Sequence, residues 1–271
     1  MISIPKRPGE QISERQFEET AVGIDFNNCR LEWARGKKIT FKKCNFSSSL
    51  IKNCYFHKAH FIECDFTGAL FQDSNFRGAT FDQCKFEYAQ FRGTLIEANQ
   101  LLKNLPSWEN TRRELLRSLR KNAESIGEVE EVRRYFWCEM EAGIEHWRAA
   151  SKGVAGYYLD HYPGPWGRFT SFYRWLVLVV SKWAWGHGDS PLKLVCSTLA
   201  WLVLLSFMAQ PCIDGSPEFI EILTSILATL LGVPLTNTLA LPQWVLLIAG
   251  ASRYLFLGLF ATVFVRRFAR R

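Results

Sequence analysis

Bulky apolar residues recur at every fifth position through the first third of the chain. The series is unbroken at Phe41, Phe46, Ile51, Phe56, Phe61, Phe66, Phe71, Phe76, Phe81, Phe86, Phe91 and Ile96. It extends back to Leu31 and Phe26, with Gly36 as its one interruption. A small residue stands two positions before each member from Phe46 onward. Neither a helix nor a strand has a period of five, so the pattern predicts a repeat architecture.

The repeat resembles the pentapeptide-repeat family, whose motif is a small residue, Asp or Asn, Leu or Phe, and two polar residues. The stretches CNFSS, CDFTG, SNFRG and ATFDQ match it, whereas CYFHK and AHFIE keep only the two inward positions. The resemblance implies a right-handed quadrilateral β-helix with four pentapeptides in each coil and the bulky residues inside. We therefore expect an N-terminal cap over 1–25 and the β-helix over 26–100.

Three cysteines of the repeat, Cys44, Cys64 and Cys84, are twenty residues apart. In such coils they would stack in one column at about 4.8 Å per step. A column on one wall cannot surround a tetrahedral metal ion, so we interpret these thiols as buried filler. We expect neither a metal site nor a cofactor.

The periodicity changes after Ile96, and residues 101–167 are predicted to form a helical connector. Two helices are expected at roughly 110–125 and 128–149, with Asn110 or Thr111 capping the first. This connector carries the densest basic surface of the polar part of the chain. One interpretation is a solvated face with local Glu partners, and the other is a site for an anionic, oligonucleotide-like ligand formed by Arg112, Arg113, Arg117, Arg120, Lys121, Arg133 and Arg134.

The last third of the chain is apolar and is predicted to enter a membrane. Residues 168–190 mix aliphatic, tryptophan and basic residues, as in an amphipathic helix lying in the headgroup layer. Within the domain 191–271, Leu192–Gln210 and Gln243–Val265 are each long enough for one span. Phe219–Val233 is too short to cross and is predicted to be a re-entrant helix.

The charges around this hairpin predict its orientation. Basic residues precede the first span and follow the second, whereas Asp214, Glu218 and Glu221 lie between them. The positive-inside rule then places both ends in the cytoplasm. The opening stretch MISIPKRPGEQISERQF contains no apolar signal region, which agrees with this expectation.

The order span, re-entrant helix, span resembles two-span tetrameric cation channels. The Glu139–Met140 pair and the string GHGDSPLKLV further resemble bacterial proteins that join pentapeptide repeats to such a channel domain. The resemblance implies a homo-oligomer, with a tetramer favoured, in the inner membrane of a bacterium. The potassium-filter signature Thr-Val-Gly-Tyr-Gly is absent from the corresponding stretch TLLGVPLTNTLALP, so potassium selectivity is not implied.

The predicted pore or gate residues centre on a charge inside the second span. Arg253 lies about ten residues from either end of that span, where a buried charge marks function. It is expected either to pair with Glu218 or Glu221 or to form a pore-facing ring that repels cations. The complete predicted set is Arg253, Glu218, Glu221, Gly232, Thr236 and Asn237.

These patterns lead to one main functional hypothesis. No enzyme signature is present in the sequence, and we expect no enzymatic activity. The apolar hairpin and its resemblance to channels lead us to expect an oligomeric membrane channel gated by its cytoplasmic part, through an anionic ligand or a partner protein. Such a pore would depolarise the cell in a bacterial stress or anti-phage system. The alternative is a non-conducting, membrane-anchored interaction scaffold. A DNA-mimic role is rejected, because residues 26–96 carry eleven Lys and Arg against six Asp and Glu.

The orientation yields a first testable prediction. A membrane-impermeant maleimide added to intact cells should label Cys212, which lies in the loop between the predicted spans. The Cys212→Ser variant should lose this labelling. Protection of Cys212, together with external labelling of a cysteine introduced in the connector, would reverse the predicted topology.

Overall fold

The computed structural model describes residues 9–18, 20–153, 156–215, 217–233, 239 and 241–269, without the side chains of 266–269. The chain divides into two compact units, Met1–Trp175 and Leu176–Arg271. We call the first the soluble unit and the second the apolar unit.

The soluble unit begins with a parallel β-solenoid of about four turns. Its strands form a five-stranded sheet of order β1-β3-β5-β7-β9 and a four-stranded sheet of order β2-β4-β6-β8. Partners are twenty residues apart in the inner coils, as in the pairing of Ile51 with Phe71. The strands are β1 Gln11–Ser13, β2 Ala21–Val22, β3 Arg30–Glu32, β4 Thr40–Lys42, β5 Leu50–Lys52, β6 His60–Ile62, β7 Leu70–Gln72, β8 Thr80–Asp82 and β9 Gln90–Arg92.

The bulky residues of the five-residue pattern fill the solenoid axis, which confirms the predicted inward phase. Phe66 and Phe71 are completely buried. Equivalent rings stack from coil to coil, with centroid distances of 5.0 Å between Phe46 and Phe66 and 5.2 Å between Phe66 and Phe86. Their burial removes a continuous aromatic column from water, and this apolar burial is the main force that stabilises the coils.

The solenoid begins before the predicted residue 26. Its first coil was not recognised in the sequence because this coil is one residue shorter than the others. Ile12 pairs with Leu31, nineteen residues away, so the period of five does not reach this coil. Phe17 is buried and contacts the ring of Phe56 at 6.3 Å between centroids. A glycine is needed at position 36 because a Cβ on Gly36 would lie only 2.8 Å from a methyl group of Ile39.

The stacked cysteines bond to the backbone of the neighbouring coil. The Sγ atoms of Cys44, Cys64 and Cys84 donate to the carbonyl oxygens of residues 21, 41 and 61 at 3.5, 3.4 and 3.4 Å. In the adjacent column, burial raises the pKa of Cys54 to about 12. These contacts fit the interpretation of the column as buried filler.

At the end of the last coil, the side chain of Asn104 makes hydrogen bonds that a further coil would otherwise make. Asn104 follows Cys84 by twenty residues and continues the cysteine column. Its Nδ2 donates to the Phe81 carbonyl oxygen at 2.7 Å, and its Oδ1 accepts from the Cys84 amide at 3.0 Å. The Cys84 amide and the Phe81 carbonyl thereby gain partners that a further coil would otherwise provide.

Helices complete the soluble unit. The bounds are α1 Ala98–Leu101, α2 Glu109–Ile126, α3 Val129–Lys152 and α4 Gly156–His161, with a short 3-10 turn at Leu102–Asn104. Helix α2 lies against β9: Ser118 Oγ accepts from the Phe91 amide at 2.9 Å, and Asn122 bonds both the amide and the carbonyl of Thr94. The predicted cap at Asn110 or Thr111 is wrong, because α2 starts at Glu109 after Trp108.

The apolar unit contains the other long helices. Helix α5 (Gly164–Ala184), which covers most of the predicted interfacial segment, begins in the soluble unit and ends in the apolar unit, where α6 (Pro191–Ala209), α7 (Phe219–Leu231) and α8 (Gln243–Ala269) follow. Among the described residues, two segments are long and apolar enough to cross a membrane, Pro191–Cys212 and Gln243–Val265. Helices α6, α7 and α8 share one apolar core that includes Leu205, Ile226 and Val245.

The aromatic column yields a stability prediction. Replacing Phe66 or Phe71 by Ala should lower the free energy of unfolding of the solenoid by about 3–5 kcal/mol, because a buried ring is lost and a cavity remains. The matched controls Thr67→Ala and Gln72→Ala alter partly exposed side chains and should change it far less. Amide hydrogen exchange of the full-length protein measures both effects, and equal exchange in all four variants would contradict the inward phase.

Candidate functional site

The basic connector is organised around a buried carboxylate. Glu139 on α3 is 2% exposed. Its two oxygens accept from Nε of Arg117 at 3.2 Å and from Nε of Arg120 at 2.8 Å. Arg120 also pairs with Glu124 at 2.6 Å. This cluster, which we call the Glu139 clamp, fixes α2 against α3 and uses two of the predicted anion-binding arginines for structure.

Two further predicted arginines make contacts away from the clamp. Arg112 pairs with Glu145 at 2.8 Å, and its Nε donates to the Pro106 carbonyl oxygen at 3.0 Å. Arg134 donates to Oδ1 of Asn99 at 2.7 Å. Arg133 lies beside it on α3 and is exposed. The seven predicted residues therefore do not form a single basic face.

Arg113 lies in an aromatic cluster rather than on the surface. Its guanidinium is 5.9 Å from the ring centroid of Trp147. Burial lowers the pKa of Arg113, and the positive charge of Arg117 lowers it further. Burial also lowers the pKa of His146, with a second contribution from Arg113. The cluster therefore favours a neutral His146 beside a cationic Arg113.

A groove of about 780 Å³ lies between β9 and α2. Arg117 and Lys121, one helical turn apart on α2, line it together with Arg92 from β9. Two carboxylates, those of Asp73 and Glu114, also line it. The groove thus gathers two of the seven predicted residues and adds Arg92, which sequence analysis missed because the outward positions of the repeat follow no rule.

In the apolar unit the side chain of Arg253, which belongs to α8, reaches the C-terminal end of α7. Its guanidinium lies directly against Gly232, where a Cβ would collide with it. Gly232 has φ 73° and ends α7, with its amide bonded to the Thr229 carbonyl oxygen at 3.2 Å. The carbonyl end of a helix carries partial negative charge, which stabilises a nearby cation. This contact accounts for a charged residue in an apolar helix.

The expected pairing of Arg253 with acidic residues is wrong. Glu218 precedes α7 and Glu221 lies in its first turn, and both are exposed. Eleven residues of helix separate Glu221 from Gly232, roughly 16 Å along the axis. The guanidinium therefore contacts the opposite end of α7. Thr236 and Asn237, the other two predicted pore residues, lie outside the described residues.

Comparison with known proteins identifies the solenoid. The sequence model of the pentapeptide repeat region matches residues 34–104. No curated protein sequence matches the chain. Residues 34–104 are therefore a pentapeptide repeat region, as the sequence pattern indicates.

Similar solved structures are themselves pentapeptide repeat proteins. HetL from the cyanobacterium Nostoc, which is involved in regulating heterocyst differentiation, is 15% identical with a TM-score of 0.26, and the match covers 32% of this chain and 41% of HetL. A thylakoid-lumen protein of Arabidopsis thaliana is 20% identical with a TM-score of 0.22 over 36% of this chain and 74% of that one. QnrB1, a plasmid-mediated fluoroquinolone resistance protein, is 17% identical with a TM-score of 0.19 over 33% and 59%. At these values they do not inform the function.

The Glu139 clamp yields a prediction about the connector. Glu139→Gln should lower the free energy of unfolding of the α2–α3 pair by about 1.5–3 kcal/mol, because two charge-assisted hydrogen bonds to a buried carboxylate are weakened. Glu124→Gln removes an exposed partner of the same arginine and should cost less than about 1 kcal/mol. Hydrogen exchange of the α2 and α3 amides measures both, and equal effects would exclude the clamp as the structural centre.

Proposed function

We propose that this protein is an oligomeric, channel-like membrane effector whose soluble unit controls ion flow through its apolar unit. The protein would form a tetramer in a bacterial inner membrane, and the charge distribution of the sequence favours an orientation with both ends cytoplasmic. Opening would depolarise the cell, a suitable action for a bacterial stress or anti-phage effector. No catalytic role is proposed.

The observation that supports this proposal most strongly is the contact between Arg253 and the end of α7. A helix of thirteen residues is too short to cross a bilayer, and it packs between two helices that are long enough. Its carbonyl end lies against an arginine near the middle of Gln243–Val265. In channels and transporters, the ends of such short helices contribute to ion sites within the membrane.

Arg253 also suggests the ion preference of the channel. A cation held at the negative end of α7 occupies the position where that end would otherwise attract a permeating cation. If the contact lines the pathway, the channel excludes cations and favours anions. This agrees with the lack of a potassium-filter signature in the sequence.

The groove between β9 and α2 is the best candidate for the regulatory site. Arg92 and Lys121 are exposed there, and no ion pair of either with a described residue is found. An oligonucleotide would bring phosphates to these cations, and its binding would weaken as salt rises. It would gate the channel only through a difference in affinity between the open and closed states.

A second candidate is a membrane-anchored scaffold that does not conduct. Exposed aromatic residues on the solenoid favour it, since Trp33 is 53% and Tyr88 56% exposed. Such residues are common at protein interfaces. In this alternative the solenoid binds a partner protein, and the apolar unit acts only as an anchor.

Single-channel recording in planar bilayers tests the proposal. Full-length protein should carry current when a short oligothymidylate is added on the side of the soluble unit, and its reversal potential in a salt gradient should indicate anion preference. Arg253→Gln should shift that potential towards cation permeation. Arg92→Gln with Lys121→Gln should raise the oligothymidylate concentration needed for opening by about tenfold or more.

The controls separate gating from conduction. Lys58→Gln with Lys103→Gln removes the same charge from exposed positions outside the groove and should leave opening unchanged. Absence of current in every condition would reject the channel and leave the scaffold. Current with an unshifted reversal potential in Arg253→Gln would reject only the role of Arg253.

A further inference from the structure

A second cleft in the soluble unit, of about 650 Å³, lies between the end of α3 and the start of α5. Its basic side chains are Arg148, Lys152 and Arg168, and its aromatic ones are Phe169, Phe172 and Trp175. No acidic side chain is among the residues that line it. We call it the α3–α5 cleft.

The cations of the cleft lie on one side because of helical spacing. Arg148 and Lys152 are four residues apart on α3, so they share one face of the helix. None of the three cations forms an ion pair with a described carboxylate, in contrast to Arg112, Arg117 and Arg120. Three unneutralised positive charges around one concave surface create an attractive field for an anion.

Arg168 lines this cleft beside the C-terminal end of α3. Its guanidinium nitrogens would lie 3.3 and 3.5 Å from a Cβ on Gly153, the residue with φ 62° that ends α3. The guanidinium therefore lies close to the negative end of α3. Arg174, on the same helix, instead stacks on Trp147 at 4.6 Å and does not line the cleft.

The aromatic residues form an apolar strip beside these cations. Phe169 and Phe172 are 58% and 46% exposed, and with Trp175 they recur at every third position, so they lie near one face of the helix. Sixteen residues after Trp175, at Pro191, the first segment able to cross a membrane begins. A ligand that combines an anionic group with an apolar body matches both parts of the cleft.

We infer that the α3–α5 cleft binds the headgroup of an anionic phospholipid. Its phosphate interacts with Arg148, Lys152 and Arg168, and the start of its acyl chains lies along Phe169, Phe172 and Trp175. Helix α5 would then recognise lipid charge in addition to lying in the headgroup layer. The inference rests on the membrane association in the proposed function but not on ion conduction.

Native mass spectrometry of the full-length protein in neutral detergent tests the site. Protein stripped of lipid is titrated with phosphatidylglycerol, with phosphatidylcholine of the same acyl chains, and with inorganic phosphate. We expect saturable retention of phosphatidylglycerol with at least about tenfold preference over phosphatidylcholine. Inorganic phosphate should bind more weakly than the lipid, because it lacks an apolar part.

Charge-matched variants localise the binding. Replacing Arg148, Lys152 and Arg168 by Gln should weaken phosphatidylglycerol retention by about tenfold or more. The same change at Lys37, Lys42 and Lys103, which are exposed elsewhere in the soluble unit, should leave it unchanged. Phe169→Ala with Phe172→Ala should weaken lipid retention and spare phosphate binding.

Three outcomes would overturn the inference. These are equal retention of the two lipids, equal losses in the cleft variant and its charge control, and phosphate binding as tight as that of the lipid. The last would indicate a site for a free anion. Conduction is not measured here, so a failed lipid site and a failed channel remain distinguishable.

Discussion

A regular backbone element leaves unpaired groups where it stops, and this constraint shapes both units of the protein. A solenoid coil bonds the coil before it and the coil after it, so the final coil has amides and carbonyls without a backbone partner. Asn104, Ser118 and Asn122 supply side-chain partners at that end. The solenoid can therefore end against a helix rather than against another coil, and the basic residues of α2 are brought to the edge of β9.

The same constraint recurs at helix ends, where it places arginines. Gly153 ends α3 beside Arg168, and Gly232 ends α7 beside Arg253. In both cases a guanidinium lies at the carbonyl end of a helix, where the helix dipole favours it. The first contact lies beside the α3–α5 cleft, for which we propose a lipid headgroup as ligand. The second stabilises the charged side chain of Arg253 within an apolar hairpin.

The sequence predicted much of the fold because its dominant signals are local and periodic. The inward phase of the solenoid followed from its period of five, and the limits of α2, α3 and α7 were predicted to within about three residues. The first coil was missed because one fewer residue shifts Ile12 and Phe17 out of phase. The continuation of the cysteine column at Asn104 was readable as a spacing of twenty, but the repeat motif has a small residue, not an asparagine, at that position.

The candidate sites were predicted less well, because charge in a sequence does not reveal which partners neutralise it. Seven basic residues formed one group along the chain, yet Glu139 and Glu145 engage three of them, and Arg92 joins the groove from another element. Arg253 was singled out as a charge inside an apolar span, but its contact is a helix end rather than a carboxylate. Long-range packing decides such pairings.

The most direct test of the account is the membrane potential of sealed vesicles that contain the full-length protein. A potassium diffusion potential is set with valinomycin and followed with a voltage-sensitive dye, before and after a short oligothymidylate is added on the side of the soluble unit. The account predicts that the potential collapses after the addition and persists in protein-free vesicles. A potential that persists in both, with the protein verified as inserted, would contradict the channel and identify the apolar unit as an anchor alone.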